Sequence, residues 1–307
     1  MKVLLIGGTG FIGKAVTKLL VQEGHAVALF HRHKGTMDAG LKATEIIGSR
    51  EDVIRYKEAF LSFKPDLVID TIAYTAQDIW SLQIALKGVT NNLLLLSSAD
   101  VYKAYDTFQK NLPDVDNSPI RETSELRHRL FPYKPPSTDQ YNELLFNYDK
   151  IVVETMVDRA VFNVSVLRLP AVFGEGDKQN RFVEYIQPLL EGKPFIEINA
   201  TKANWVWSRS YVDNVAYGIY LAATHEKAKG ETFNLGDIHL TELELVTKLK
   251  ELTGWKGEIV ISNTTSEPYN YEQHLQTDSG KIRKLLSYAE PIDLETALRK
   301  TIQYYRQ

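Results

Sequence analysis

Gly7, Gly10 and Gly13 follow the apolar run Val3-Leu4-Leu5-Ile6 and lead directly into Phe11-Ile12. In sequence order these residues make a strand, a tight turn and the first turn of a helix. Glycine lets the backbone bend sharply and lie close to a bound group, while a new helix end offers unpaired N–H groups and a partial positive charge. Holding a pyrophosphate needs all three properties, so Gly7, Gly8, Thr9, Gly10, Phe11, Ile12 and Gly13 form a candidate dinucleotide turn. A glycine-rich turn without a ligand is the alternative.

A dinucleotide site also reads the adenosine ribose at the end of the second strand, where an acidic side chain selects a free 2'-hydroxyl. Here that end is Phe30-His31-Arg32-His33-Lys34, with no carboxylate. Arg32 can pair with a 2'-phosphate and Lys34 adds charge, which favours NADP and keeps NAD as the second choice. An exposed basic strand end is the other reading. His31 and His33 have no third ligand in the pattern, so no metal site is expected.

Six strands are expected around this turn: Lys2 to Ile6, Ala26 to His31, Ala43 to Ile47, Leu67 to Thr71, Asn92 to Ser97 and Asn163 to Leu169. They are mostly apolar without alternation, as strands buried on both faces are. Helical patterns at Phe11 to Glu23, Asp52 to Phe63, Ala76 to Lys87 and Thr138 to Ala160 separate them. This predicts an α/β fold with a Rossmann-type doubly wound parallel sheet. Between 103 and 137 the periodicity disappears into a polar stretch with five prolines, read as an ordered loop over the site mouth or a plain surface excursion. Beyond Pro170 helices are expected at Asn180 to Glu191, Val212 to His225, Thr241 to Leu252 and Leu294 to Arg306, with short strands near Phe195 and at Trp205 to Ser208. The expected organisation is a dinucleotide-binding domain over 1–170 and a smaller α/β C-terminal substrate lobe over 171–307, some of whose segments return to the core domain.

The 307 residues are 44% hydrophobic and 24% charged, with a formal net charge of -3. That balance gives no global field to gather nucleic acid or anionic membrane. The absence of cysteine excludes disulfides and thiolate chemistry and fits a reducing compartment. The four apolar residues from Val3 are too few for a membrane span or a signal core, so a cytoplasmic protein is expected, with a homodimer allowed.

Ser97-Ser98-Ala99-Asp100-Val101-Tyr102, Lys150 with Glu154, Leu167-Arg168-Leu169-Pro170-Ala171-Val172-Phe173-Gly174, Arg209-Ser210-Tyr211-Val212-Asp213-Asn214 and Phe233-Asn234-Leu235-Gly236 follow the glycine turn in order. Together they resemble the NAD-dependent epimerase/dehydratase family, extended short-chain dehydrogenases/reductases that mostly act on nucleotide sugars. The resemblance implies that Ser98 hydrogen-bonds the substrate oxygen and that Lys150 binds the nicotinamide ribose. It also implies that Ala73 and Pro170 line the cofactor and that Tyr102 borders the substrate. In the family a tyrosine four residues before the lysine shuttles the proton, its pKa lowered by the nearby charge. Phe146 stands there instead. On a regular helix Tyr148 lies about 200° around the axis from Lys150, so it serves only if the helix is distorted; Tyr74, Tyr102 or Tyr211 are other sources of a hydroxyl. On this geometry Phe146→Tyr is expected to raise activity.

Asp70-Thr71-Ile72-Ala73-Tyr74-Thr75 and Tyr148-Asp149-Lys150 are similar to a divergent branch of the family, the chloroplast stem-loop RNA-binding proteins. Arg121, Arg127, His128 and Arg129 keep RNA open as a partner, with a catalytically weak NADP-sensing protein as the related alternative. In the second lobe Arg181 and Arg209 are candidates for a substrate phosphate, and Trp205 or Trp207 for stacking on a base or sugar. A surface ion pair and a packed strand are the competing readings.

Overall fold

The apolar runs read above form the centre of a seven-stranded sheet in a computed structural model that describes residues 1–33, 40–135, 142–263 and 268–307. In chain order the first elements are β1 (Lys2–Ile6), α1 (Phe11–Gln22), β2 (Ala26–His31), β3 (Thr44–Ile47), α2 (Lys57–Phe63), β4 (Leu67–Asp70), α3 (Ala76–Leu86), β5 (Asn92–Ser98) and α4 (Lys103–Lys110). Next come α5 (Glu143–Asn147), α6 (Lys150–Met156), β6 (Asn163–Leu169), β7 (Ala171–Phe173), α7 (Val183–Leu190), β8 (Phe195–Asn199), α8 (Ala200–Ala203) and β9 (Arg209–Tyr211). The last are α9 (Val212–Thr224), β10 (Thr232–Asn234), α10 (Glu242–Thr253), β11 (Glu258–Ser262), α11 (Gly280–Leu286) and α12 (Leu294–Tyr305).

The sheet runs β10-β6-β5-β4-β1-β2-β3, every pairing parallel, which is the doubly wound α/β fold expected. Successive side chains of a strand point to opposite faces, and each face needs its own cover. Val3 and Leu5 of β1 pack with Val16 and Leu20 of α1 and Val215 and Ile219 of α9. Leu4 and Ile6 pack the other way, with Ile79 and Leu82 of α3 and Val153 of α6. Among the described residues no helix is long and apolar enough to cross a membrane.

Four expectations are corrected. Residues 50–56 form a 3₁₀ helix before α2 rather than one α-helix from Asp52. The loop from 103 opens with helix α4, whose Tyr105 and Thr107 are buried. The strand sought at Trp205 to Ser208 lies one step later, as β9 paired with β7. The helix expected from Thr138 to Ala160 is broken: α5 ends at Asn147 and α6 begins at Lys150, while residues 136–141 lie outside the described residues. Strand β10 was not anticipated; three residues long, it joins the main sheet beside β6.

A tight constraint falls at Gly13, where a β-carbon would lie 2.2 Å from the Gly7 carbonyl oxygen and 2.8 Å from the Gly8 α-carbon. Alanine gains about 1 kcal/mol of helix propensity over glycine, but both obstacles are backbone and cannot swing aside. We expect Gly13→Ala to lose about 1–3 kcal/mol of stability, measured by urea unfolding; an unchanged midpoint would refute the overlap.

Candidate active site

At the end of β1, Gly7 takes φ 84° and its N–H donates to the Phe30 carbonyl. The Gly10 N–H donates back to the Gly7 carbonyl at 3.1 Å, which closes the turn. Thr17 pins it from below, donating to the carbonyls of Gly8 and Gly13 at 3.1 and 2.8 Å. The first intrahelical bond of α1 runs from Lys14 to the Gly10 carbonyl. The N–H groups of Phe11, Ile12 and Gly13 therefore stand ahead of the ladder, where an anion is received. Gly10 is extended, and a β-carbon there meets only the Gly7 carbonyl oxygen, at 3.4 Å. The turn thus has donors and room, and it fits a pyrophosphate. Arg32 is exposed just beyond β2, whereas His31 is buried with its Nε2 3.3 Å from Glu45. Lys34 lies outside the described residues.

Ser98 ends β5, two strands from the turn, and its hydroxyl accepts from the Asp100 N–H at 3.2 Å. Tyr148 reaches this point because the helix breaks beside it. Tyr148 has φ -64° and ψ 120°, and Asp149 has φ -160° and ψ 110°, so neither residue is helical. The Asp149 carboxylate caps α6 by accepting from the N–H groups of Ile151 and Val152 at 2.8 and 3.3 Å. It also receives Arg127 through two nitrogens, at 3.1 and 2.8 Å, and the Phe131 N–H at 2.6 Å. Burial pushes the Asp149 carboxyl up, but the Arg127 bonds and the Phe131 N–H outweigh it and hold it below the usual range.

The break turns the Tyr148 phenol toward β5, where it donates to Asp100 Oδ2 at 2.8 Å, on the residue whose N–H donates to the Ser98 hydroxyl. The regular helix that placed it on the wrong side of Lys150 is absent, and with it the argument for position 146. Phe146 sits on the short surface helix α5, its ring 5.1 Å from the Lys134 ammonium.

Lys150 is buried, its ammonium donating to the carbonyls of Ala73 and Leu96 at 2.6 and 2.8 Å. The Tyr74 ring lies 4.6 Å away and stacks loosely on Tyr148 at 6.0 Å. Desolvation lowers Lys150 to about 8, against the opposing pull of Asp70, Asp100, Asp78 and Glu154. Ala73 is fully buried and serves through its carbonyl; Pro170 is buried where β6 ends.

The other candidates already have partners. Tyr102 is 1% exposed, and its hydroxyl donates to Asn234 at 2.6 Å and accepts from Arg168 at 2.9 Å. Arg168 in turn grips Glu154 with two nitrogens, tying β6 to α6. Arg209 is buried against Glu242 of α10, a close ion pair, and lies over the Trp207 ring. Arg181 donates to the Val172 carbonyl at 2.6 Å and to Asp177 at 3.0 Å. Trp205 is packed between Phe108 and Trp207 at 4.7 and 5.3 Å. Tyr211 donates to Glu175 at 2.6 Å. In the loop cluster Arg121 pairs with Asp278, Arg127 with Asp149, His128 with Glu125 and Arg129 with Asp106. Each basic group there already faces a carboxylate. Asp100, Tyr133 and the cap at Asp149 are the site groups that sequence reasoning missed, although all three lie inside segments it had marked.

Residues 3–120 match the NAD dependent epimerase/dehydratase family. Over that stretch the chain is similar to the family. It is 24% identical over 256 residues to a 3-beta-hydroxysteroid dehydrogenase of Mycolicibacterium neoaurum, a match covering 77% of this chain and 65% of that protein. The chloroplast stem-loop binding protein of 41 kDa b from Arabidopsis thaliana is 22% identical, over 97% of this chain and 77% of its own. The fold matches that of the UDP-glucuronic acid 4-epimerase from Bacillus cereus, solved with UDP-glucuronic acid and NAD, at a TM-score of 0.74, 18% identity and 100% and 99% coverage.

Breaking the Arg127–Asp149 pair strands a buried charge, so Arg127→Met is expected to cost about 3–5 kcal/mol at neutral pH by urea unfolding. Asp149 titrates lower folded than unfolded, so its stabilisation is complete above the unfolded value near pH ~4 and is lost as pH falls through the folded one. The gap between wild type and Arg127→Met should therefore narrow on acidification; a constant gap would count against the pair. Gly10→Ala, by contrast, should leave the unfolding midpoint unchanged and weaken dinucleotide binding, because only a ligand contests that space.

Proposed function

We propose that this protein is an NAD(P)-dependent oxidoreductase, epimerase or dehydratase acting on a nucleotide sugar or a related hydroxyl or carbonyl substrate. The observation that carries this reading is the convergence of Ser98 and Tyr148 on Asp100 at the carboxyl end of β5, the Asp100 N–H donating to the Ser98 hydroxyl and its carboxylate accepting from the Tyr148 phenol, with Lys150 bonded to the Leu96 carbonyl of the same strand. Ligands of open parallel sheets bind at that edge, and the glycine turn opens on the same edge. Relatives with nucleotide-sugar activities across the full chain support the substrate class, among them a dTDP-glucose 4,6-dehydratase.

Gly7 to Gly13 would hold the pyrophosphate of the dinucleotide, Ala73 and Pro170 would flank it, and Lys150 would bind its ribose. When bound, the nicotinamide accepts or returns a hydride. Within the chain, Ser98 orients the substrate oxygen and Tyr148 moves the proton at its phenolic oxygen, which replaces the phenol missing at Phe146. The Lys150 charge sits against the ribose site, held in place by two carbonyls. Arg32, exposed at the end of β2 with no carboxylate beside it in sequence, favours NADP over NAD in this reading. A homodimer would cover the exposed apolar side chains Trp80 and Ile84 of α3 and Met156 of α6. With the basic cluster of the long loop paired off, RNA is the weaker alternative.

Calorimetric titration should show tighter binding of NADP(H) than of NAD(H), with the difference lost in Arg32→Ala; equal affinities would refute the preference. In a substrate screen followed by cofactor absorbance, Tyr148→Phe should lower turnover about 10²- to 10⁴-fold with cofactor affinity retained. Phe146→Tyr should leave turnover unchanged. A fully active Tyr148→Phe would move the proton chemistry to another residue.

A further inference from the structure

Asp100 follows Ser98 in the 3₁₀ turn Ala99–Val101 and is 4% exposed. Two phenols donate to the same carboxylate oxygen, Oδ2: Tyr148 at 2.8 Å and Tyr133 at 3.0 Å. The other oxygen, Oδ1, is buried with no hydrogen-bond partner among the described residues. An enclosed carboxylate with one bare oxygen is poorly stabilised as a charge and readily takes a proton. Burial is the largest influence on it and pushes it up, while the Tyr148 and Tyr133 phenols and the charges of Arg127 and Lys150 pull it down. Tyr105 also lies within its field.

Tyr148 is displaced in the opposite sense from a phenolate base. Burial, then the Asp100 and Tyr133 groups, raise it well above its ordinary value. The Lys150 ammonium, which donates to two carbonyls under the Tyr74 ring, is not among the groups that offset this rise. A phenol this reluctant to ionise works only if it gives up one proton as it takes another.

We propose that Asp100 is the proton acceptor and donor behind Tyr148, so that Tyr148 passes the substrate proton along without standing as a free phenolate. In the oxidising direction the substrate O–H bond breaks and its proton goes to Tyr148 Oη. The phenolic proton moves to Asp100 Oδ2 at the same time, and the carbon's hydride leaves with its electron pair to an oxidised nicotinamide. Reduction runs the same transfers backwards. This relay rests on the reading of Tyr148 above, and Asp100 acts through Tyr148 rather than on the substrate.

The test pairs a spectroscopic titration with kinetics. Difference infrared spectroscopy of the unliganded protein should show a protonated carboxyl band that Asp100→Asn removes. Its midpoint should move to higher pH in Tyr148→Phe, because a bond favouring the carboxylate is lost. A midpoint indifferent to Tyr148→Phe overturns the relay whether or not a substrate is found. In the wild-type oxidation rate the acid limb should follow that same midpoint. Asp100→Asn should lose about 10²- to 10⁴-fold and its residual rate should climb with pH into the tyrosine range, while Asp100→Glu restores the limb. Wild-type activity retained in Asp100→Asn with an unaltered pH profile overturns the relay and spares the function. An inert wild type with normal titration shifts overturns the function and spares the Tyr148–Asp100 coupling.

Discussion

Five hydrogen-bond donors converge on the carboxylate of Asp149, three from backbone N–H groups and two from the guanidinium of Arg127. A carboxylate serving as helix cap cannot also sit inside the helix, so the chain must enter α6 from an extended residue. That residue is Asp149 itself, and Tyr148 before it is extended as well. Arg127 arrives from the long loop after α4, and its remaining nitrogen holds the Asp100 carbonyl at 2.9 Å. One buried ion pair thereby fixes the direction of the phenol, the start of the helix bearing Lys150 and the seat of the loop. Such a pair gains little net stability over a well-packed apolar substitute, and its value here lies in specifying one geometry.

The parallel sheet and its glycine turn were legible from residue order because their causes are local. Uninterrupted apolar runs mark strands covered on both faces, and Gly13 is required by a turn whose obstacles, Gly7 and Gly8, lie within a few residues. The site behind Ser98 was not legible in the same way. Tyr148 is two positions from Lys150, and periodicity alone places it on the far side; only Arg127, 22 residues earlier, reveals that the helix is interrupted. Tyr102 shows the same limit from the other side. Its proximity to Ser98 in sequence suggested a substrate contact, yet Asn234 from β10 claims its hydroxyl from 132 residues away.

Two polar seams carry these long-range partners. The first runs from Ser97 through Glu154 and Arg168 to Tyr102 and Asn234, joining β5, α6, β6 and β10. The second is Arg209 with Glu242, which binds β9 to α10 beneath Trp207. Both consume arginines whose charge would otherwise advertise an anion site. Sequence marks a guanidinium as available, whereas only packing shows that a carboxylate on a distant element has already engaged it.

The enclosure of Lys150 bears on its reactivity as an amine. Burial lowers its pKa to about 8, which loosens its hold on the proton, and that makes an accessible amine nucleophilic. Acylating reagents reach Lys150 poorly, since the Tyr74 ring lies over it and the carbonyls of Ala73 and Leu96 take two of its three donors, leaving the third for a ribose hydroxyl. Acylating and carbonyl reagents therefore meet the exposed lysines first, and an amine whose hold on its proton is loosened is one the fold keeps chemically quiet.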